Sequence, residues 1–262
     1  MLENRAYSDG VIKDVHYEKR MKQWSSDRWK IFQKAVDKVL KFSTPLSVCL
    51  DLGAGEGFFT KCCKEAGLKC IAFEGSQAAV NWGKSNLGID SRMHNLKNSL
   101  PLEHNSVDFI MYHNVYEHVP QHINKNVFKE SFRVLKPEGT LWVITICKYN
   151  LVESARLEHI NNTTPSQLYR FGKSFGFKAS MVMPTFNFSL FTPNFYDKDL
   201  NVCSRKKKIR DWAKRNNRKI SFALAPLWFP IWFLNSWVLH VDALDFLSSN
   251  ASIIFKKNKY IK

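Results

Sequence analysis

Apolar residues follow two spacings along this chain, and each spacing predicts one kind of element. Short, uninterrupted apolar runs predict buried strands over residues 46–52, 70–74, 107–112 and 140–146. Apolar residues three and four positions apart predict amphipathic helices over residues 27–40, 58–66, 77–85 and 127–135. A capping-box pattern over residues 164–167, with proline at the first helical position, predicts a further helix through residue 175. Strands that alternate with helices in this way are typical of an α/β fold, with a doubly wound, mostly parallel sheet.

A glycine-rich segment, LDLGAGEGFF over residues 50–59, joins the first predicted strand to the following helix. Glycines at such a turn let the backbone approach a ligand closely, and the helix N-terminus supplies free N–H donors. The spacing GxGxG differs from the GxGxxG of dinucleotide-binding proteins, which disfavours an NAD-dependent dehydrogenase. Glu74 closes the next predicted strand, where a carboxylate can accept hydrogen bonds from two ribose hydroxyls.

Five motifs occur in the same order as in one known family. They are LDLGAGEGFF (50–59), FEGS (73–76), SLPLEHNSVDFI (99–110), VYEHV (115–119) and FRVLKPEGTLWV (132–143). Through them the chain resembles the class I S-adenosylmethionine-dependent methyltransferases, in particular the small-molecule branch of methyltransferase type 11. The resemblance implies a Rossmann-like sheet of seven strands, the last one antiparallel, with S-adenosyl-L-methionine bound over the carboxyl ends of the strands.

The resemblance also implies which residues hold S-adenosyl-L-methionine. Glu74 is expected to bind the ribose diol, and His113 to close the pocket after the fourth strand of the sheet. The other implied contacts are the neighbours of the methionine and ribose, Asp51, Gly53, Ala54, Gly55 and Gly57, and the neighbours of the adenine, Asn95 and Leu96.

Methyl transfer is a direct displacement at a sulfonium carbon, so the enzyme mainly aligns the acceptor with the methyl group and removes the acceptor's proton. Candidate bases near the predicted strand ends are Tyr112, His113, Glu117, His118 and His159. In the resembled branch a histidine commonly follows the fifth strand and faces the acceptor, which favours His159 as general base. Glu117 and His118 match the family's Glu-His pair and join it as expected catalytic residues. The alternative for all three is a structural role in orienting the pocket.

The sequence predicts no metal site. His118 and His122 are four positions apart, but Pro120 lies between them and disrupts a shared helix face. Some ubiquinone-pathway O-methyltransferases resemble this region and carry an ExxEH motif proposed to bind a divalent ion. Asn114 stands at the first position of that motif in this chain, so one of its charges is missing.

The segment after the fourth strand narrows the class of acceptor. DNA and RNA amino-methyltransferases of this fold carry an (Asp/Asn)-Pro-Pro-aromatic tetrad there, and cytosine-C5 enzymes need a Pro-Cys pair. This chain has YHNVY over residues 112–116 instead. The absence of both motifs favours a hydroxyl on a metabolite, a sugar or a lipid-linked acceptor and makes nucleic acid an unlikely partner.

Charge is distributed unevenly and keeps a second hypothesis open. The 39 Lys and Arg residues outnumber the 23 Asp and Glu residues, which gives a net charge of +16 and predicts attraction to nucleic acid or an anionic membrane. Nine basic residues and one acidic residue fall within residues 204–219. An RNA methyltransferase or RNA-binding protein that uses this basic run is the alternative function, and a catalytically silent relative is a third possibility.

The basic run belongs to a large insertion between a sixth strand predicted over residues 176–183 and a seventh over residues 251–256. Residues 220–241 follow the run, contain several tryptophans and carry no Asp, Glu, Lys or Arg. A single membrane crossing there is excluded because it would separate the seventh strand from its sheet. Two alternatives stay open: a lid packed over the acceptor pocket, or a segment on an anionic membrane surface.

These patterns predict one methyltransferase domain over residues 1–262. Its parts are a helical lead-in (1–45), a cofactor-binding core (46–184), the lid insertion (185–250) and the last strand (251–257). The six cysteines form no CxxC pair and are expected to be buried thiols. With no apolar leader at the N-terminus, we expect a cytoplasmic protein, and association with a membrane surface stays open as an addition.

Overall fold

The computed structural model describes residues 7–8, 11–12, 33, 36–37, 47–148, 159–182, 185–186 and 248–258. Its main strands are β1 (Val48–Leu52), β2 (Lys69–Glu74), β3 (Arg92–Met93), β4 (Val107–His113), β5 (Leu135–Ile146), β6 (Phe177–Val182) and β7 (Ser248–Lys257). Its helices are α1 (Phe58–Glu65), α2 (Gln77–Leu87), α3 (Gln121–Val134) and α4 (Pro165–Ser174). Shorter elements are a 3₁₀ turn over Tyr116–His118 and the two-residue strands Tyr7–Ser8, Val11–Ile12 and Thr185–Phe186.

The main strands form one sheet in the order β3-β2-β1-β4-β5-β7-β6. Strands β1 to β5 pair in parallel, whereas β7 lies antiparallel between β5 and β6. The strand Thr185–Phe186 adds a short antiparallel pairing to β7. This architecture confirms the predicted fold class, including the antiparallel last strand.

Helices cover both faces of the sheet and bury it. On one face Phe128 of α3 is fully buried, with its ring centroid 4.8 Å from that of Phe171 and 5.9 Å from that of Phe255. On the other face Phe59 of α1 packs among Phe109 and other apolar residues of the sheet. The central parallel strands β1 and β4 therefore consist mostly of apolar residues, because both of their faces are covered.

Several element boundaries differ from the sequence prediction, and helix α3 begins at Gln121 instead of at residue 127. The fifth strand begins at Leu135, directly after α3, instead of at residue 140, and the β4–β5 register shifts between Val107 and Phe109. Pro137 and Gly139, which follow the predicted helix 127–135, thus lie in the irregular first part of this strand. The two-residue strand β3 was not predicted, because Arg92 and Met93 are exposed and too short to form a pattern.

The start of α4 confirms the predicted capping box. The Thr164 hydroxyl accepts a hydrogen bond from Gln167 N at 3.2 Å, and the Gln167 side chain accepts one from Thr164 N at 3.1 Å. Pro165 occupies the first turn, where its missing N–H has no cost. This reciprocal cap fixes where α4 begins and hence the position of the segment in front of it.

Several predictions fall outside the described residues. Of the helix predicted over residues 27–40, the structure describes Gln33, Val36 and Asp37, all helical. The basic run 204–219 and the apolar segment 220–241 lie outside the description. Cys203 does too, while the described cysteines are free and either buried or half-buried, as predicted. Within the described part of the chain, no helix has the length and apolar character needed to cross a bilayer.

Candidate active site

The glycine-rich loop lies at the carboxyl end of β1 and is bound to the end of β2. Gly53 N and Ala54 N both donate hydrogen bonds to Phe73 O, at 2.9 and 3.0 Å. Gly53 and Gly57 have φ angles of 69° and 86°, in the left-handed region that disfavours residues with a Cβ. The loop ends at the N-terminus of α1, a position suited to a ligand with negative or hydrogen-bonding groups.

Glu74 closes the loop from the end of β2. Its Oε1 accepts hydrogen bonds from Gly75 N (2.9 Å) and Ser76 N (2.8 Å), and its Oε2 accepts one from Gly55 N (2.7 Å). Burial raises the pKa of this carboxyl, and the three backbone donors act in the opposite direction. Glu74 therefore shapes the loop itself, and Oε2 retains an acceptor site for one further donor.

Asp51 lies on β1 beneath the loop and is 4% exposed. Its Oδ2 accepts a hydrogen bond from the Thr60 hydroxyl of α1 at 2.8 Å. Burial is the main cause that raises the pKa of Asp51 to about 7, while the Thr60 hydrogen bond opposes the rise and the nearby Glu74 adds to it. The site thus contains a carboxyl group whose protonation changes near neutral pH.

The predicted adenine neighbours follow β3, next to the end of β2. His94 N donates to Glu74 O at 2.9 Å, which brings this segment against the loop. The Asn95 side chain accepts a hydrogen bond from Lys97 N at 3.0 Å, forming a local turn. Leu96 is buried in the core, and its carbonyl accepts from Asn126 at 2.9 Å. His113, the last residue of β4, is half-buried opposite Ile144 of β5.

The three expected catalytic residues lie together. Glu117, His118 and His159 each place one carboxylate oxygen or ring nitrogen within 4.8 Å of those of the other two. The rings of His118 and His159 meet edge to face, with centroids 4.7 Å apart. Exposed fractions are 1%, 8% and 7% in that order, so the cluster is nearly enclosed.

Backbone and side-chain hydrogen bonds hold this cluster in place. The Thr145 hydroxyl of β5 donates to Glu117 Oε2 at 2.8 Å. Asn161 N donates to Glu117 O at 3.1 Å, which joins the segment of His159 to the turn after β4. The cluster is therefore anchored to β4, β5 and the start of α4 at the same edge of the sheet as the glycine-rich loop.

Two of the sequence candidates have other surroundings. The Tyr112 hydroxyl is buried and donates to Asn124 at 2.8 Å, which is a structural contact between β4 and α3. His122 lies exposed on α3, outside the cluster. Sequence reasoning did not identify Thr60 and Thr145. Thr145 is a polar residue within an apolar run, which is a sign of a buried polar contact.

Comparison with known proteins identifies a methyltransferase domain in this chain. A family model described as a methyltransferase domain matches residues 50–143, the span that contains the loop, Glu74 and the Glu117–His118 pair. The chain is an S-adenosylmethionine-dependent methyltransferase. The cofactor of the methyltransferase is S-adenosyl-L-methionine, as the sequence predicts. No curated protein sequence matches the chain significantly.

Solved structures share the fold of this methyltransferase at low sequence identity. A methyltransferase from Archaeoglobus fulgidus, described as SAM dependent, has a TM-score of 0.56 and 14% identity over 87% of this chain and 94% of its own. A putative sarcosine dimethylglycine methyltransferase from Galdieria sulphuraria has a TM-score of 0.56 and 15% identity over 88% of this chain and 87% of its own. A geranyl diphosphate methyltransferase in complex with GPP and sinefungin has a TM-score of 0.57 and 16% identity over 89% of this chain and 78% of its own.

Proposed function

We propose that this methyltransferase transfers a methyl group to a hydroxyl of a small-molecule, sugar or lipid-linked acceptor. The observation that carries the proposal is the enclosed cluster of Glu117, His118 and His159 at the same sheet edge as the glycine-rich loop. A hydroxyl must lose its proton as it attacks, and a group able to accept that proton is required close to it.

The loop residues fit S-adenosyl-L-methionine chemically. A Cβ atom at Gly53 would clash with Val115 and one at Gly57 with Ile89, so the loop requires glycine at both positions. Oε2 of Glu74 keeps room for one ribose hydroxyl. The sulfonium and ammonium charges of the cofactor complement the carboxyls of Asp51 and Glu74, both of which are buried at this end of the sheet. When bound, the cofactor supplies an electrophilic methyl group.

Residues of this chain would then remove the proton of the acceptor and orient the groups that do so. The acceptor oxygen forms a bond to the methyl carbon, the carbon–sulfur bond breaks, and the sulfur keeps the electron pair. His159 accepts the hydroxyl proton, while Glu117, held by Thr145 at 2.8 Å, orients and balances the two imidazoles. Asn161, bonded to Glu117 O, keeps His159 in the same place relative to the turn after β4.

Two further facts support a small-molecule acceptor. Two of the similar structures are described as methyltransferases for sarcosine or dimethylglycine and for geranyl diphosphate. Residues 112–116 lack the tetrad that grips a nucleobase amine. The basic run at 204–219 keeps RNA as the alternative acceptor, which the experiment below includes.

The experiment incubates the full chain with methyl-labelled S-adenosyl-L-methionine and separate metabolite, lipid and RNA fractions. We expect S-adenosylhomocysteine release and a labelled product, heavier by one methylene, from the metabolite or lipid fraction. Gly55→Val serves as the cofactor-site control and His159→Gln as the acceptor-site control. Label that enters only RNA, or a product methylated on nitrogen or carbon, would contradict the proposal.

A further inference from the structure

The cluster of Glu117, His118 and His159 combines two imidazoles and one carboxylate in a nearly enclosed space. Each residue offers one ligand atom, and the three atoms lie within 4.8 Å of one another. Their residues are at most 8% exposed. Burying a carboxylate beside two imidazoles is costly unless a positive charge joins them, which either a proton or a metal ion supplies.

The spacing of these groups is close to that of a metal site. Bonds of 2.0–2.1 Å in a tetrahedral zinc site place ligand atoms about 3.4 Å apart. The observed limit of 4.8 Å is wider than this spacing, so binding requires the side chains to rotate towards the ion. Two imidazoles on one such ion have ring centroids about 5 Å apart, and the His118 and His159 centroids are 4.7 Å apart.

The surroundings provide the support that metal ligands need. The Thr145 hydroxyl donates to Glu117 Oε2, and Asn162 Nδ2 donates to the carbonyl of His159 at 3.2 Å. His118 N donates to Val115 O at 2.9 Å, which fixes the turn that carries two of the three ligands. A hydrogen bond to a ligating carboxylate, such as that from Thr145, orients the ligand and typically changes metal affinity 10–100-fold.

We propose that Glu117, His118 and His159 form a binding site for a divalent transition-metal ion, with Zn²⁺ as the favoured occupant. The donor set, two histidines and one glutamate, is one that zinc uses in catalytic sites, where the fourth position stays open. The sequence predicted no metal because it paired His118 with His122. In the structure the second histidine is His159, from a different segment of the chain.

The inference deepens the proposed function and rests on it only for the occupant of the fourth position. There the acceptor hydroxyl would bind the cation, which promotes loss of its proton to solvent. His159 then serves as a ligand, and the cation replaces it as the group that ionises the acceptor. Metal binding itself is measured without cofactor, acceptor or turnover.

The experiment titrates the metal-free full chain with Zn²⁺ by calorimetry and with Co²⁺ by visible spectroscopy. We expect one site per chain and the d–d absorption of Co²⁺ bound by nitrogen and oxygen. His159→Gln, His118→Gln and Glu117→Gln should each weaken Zn²⁺ binding by more than roughly tenfold, and Thr145→Val by roughly 10–100-fold. Thr145→Ser keeps the hydroxyl and should bind as the wild type does.

His122→Gln is the matched control, because His122 is exposed on the neighbouring helix. It should leave the dissociation constant unchanged, and circular dichroism and cofactor affinity should show that every variant is folded. Absence of one-to-one binding in the wild type would overturn the inference. So would unchanged Zn²⁺ affinity in His159→Gln and Glu117→Gln, or thiolate-to-Co²⁺ charge-transfer bands that assign the metal to the cysteines. Methyl transfer by a chain that binds no metal would leave the proposed function standing and remove the inference.

Discussion

A Cβ atom placed on Gly53 would lie 2.5 Å from Cγ2 of Val115. The glycine-rich loop and the segment after β4 therefore meet with no room for a methyl group between them. Glu117 lies two residues after Val115, so this contact joins the loop to the turn that carries Glu117 and His118. Backbone strain at φ 69° would add to the steric clash of any substituted side chain.

Gly53→Ala is expected to destabilise the protein by about 2–4 kcal/mol, from overpacking and left-handed strain together. Val115→Ala in the same chain removes the clash and should recover part of the loss. Gly88→Ala is the matched control, because Gly88 has a φ of 64° and nothing within 4 Å of its Cβ position. Urea unfolding gives the free energy of unfolding of the wild type, the two single variants and the double variant. Equal losses in Gly53→Ala and Gly88→Ala would show that the Val115 contact is unimportant.

Gly55→Val and Glu74→Ala should each weaken S-adenosyl-L-methionine binding at least about tenfold, or about 1.4 kcal/mol. Valine at Gly55 occupies ligand volume and strains a backbone with a φ of 55°. Alanine at Glu74 removes an acceptor for the ribose and also leaves three backbone N–H groups without their partner. Calorimetry gives the affinities. Wild-type binding in both variants would disprove the assignment of the cofactor site.

His159→Gln should lower turnover by roughly 10²–10⁴-fold, because the group that promotes ionisation of the acceptor is lost. The affinity for S-adenosyl-L-methionine should stay that of the wild type, since the cluster is separate from the glycine-rich loop. Single-turnover rates and calorimetry measure the two quantities on the same protein. Parallel loss of cofactor binding would instead assign His159 a structural role.

Asp51 should make the folded state less stable as the pH rises towards neutrality. Its pKa is raised from 3.8 to about 7, so between about pH 4 and pH 7 the folded chain holds a proton that the unfolded chain has lost. The contribution of this proton to the free energy of unfolding is present in full below about pH 4 and is lost by about pH 7. The free energy of unfolding then falls by up to about 4 kcal/mol. Unfolding of wild type and Asp51→Asn across this range measures the difference.

The same experiment with saturating S-adenosyl-L-methionine provides a second readout. The positive charge of the cofactor favours the ionised carboxylate of Asp51. The difference in pH dependence between the wild type and Asp51→Asn should therefore become smaller. Identical pH profiles for wild type and Asp51→Asn, with or without cofactor, would show that Asp51 does not titrate in this range.

The insertion is expected to bind anionic lipid through its basic run. Each Lys or Arg near such a surface contributes about 1 kcal/mol. Flotation should recover the full chain with anionic liposomes and not with neutral ones, and high salt should abolish it. A Lys206→Ala, Lys207→Ala and Lys208→Ala triple variant should lose this binding. Failure to float with either lipid would favour the lid alternative.

The sequence was sufficient for the sheet, the glycine-rich loop and the capping box at Thr164, because each depends on local periodicity or short-range hydrogen bonding. The sequence did not predict contacts between segments that are distant along the chain and meet only in the folded protein. Thr145 and Glu117 lie in different elements, and the hydrogen bond from Asn161 N to Glu117 O joins the segments that carry His159 and His118. Glu74 was predicted to face the ribose, but nothing in the sequence indicated that three loop amides converge on its carboxylate.

The strand Thr185–Phe186 pairs with β7 at Ser248 and Asn250, so the chain leaves and re-enters the sheet at adjacent points. Both points lie at the carboxyl edge, since the start of β7 is opposite the end of β5 at Ile146. Closing a longer or shorter loop between fixed ends changes the free energy only slowly with length. In evolutionary terms this is a graft point: we expect a change in the number of residues between 187 and 247 to leave the strand pairing of the sheet, and its stability, nearly unchanged.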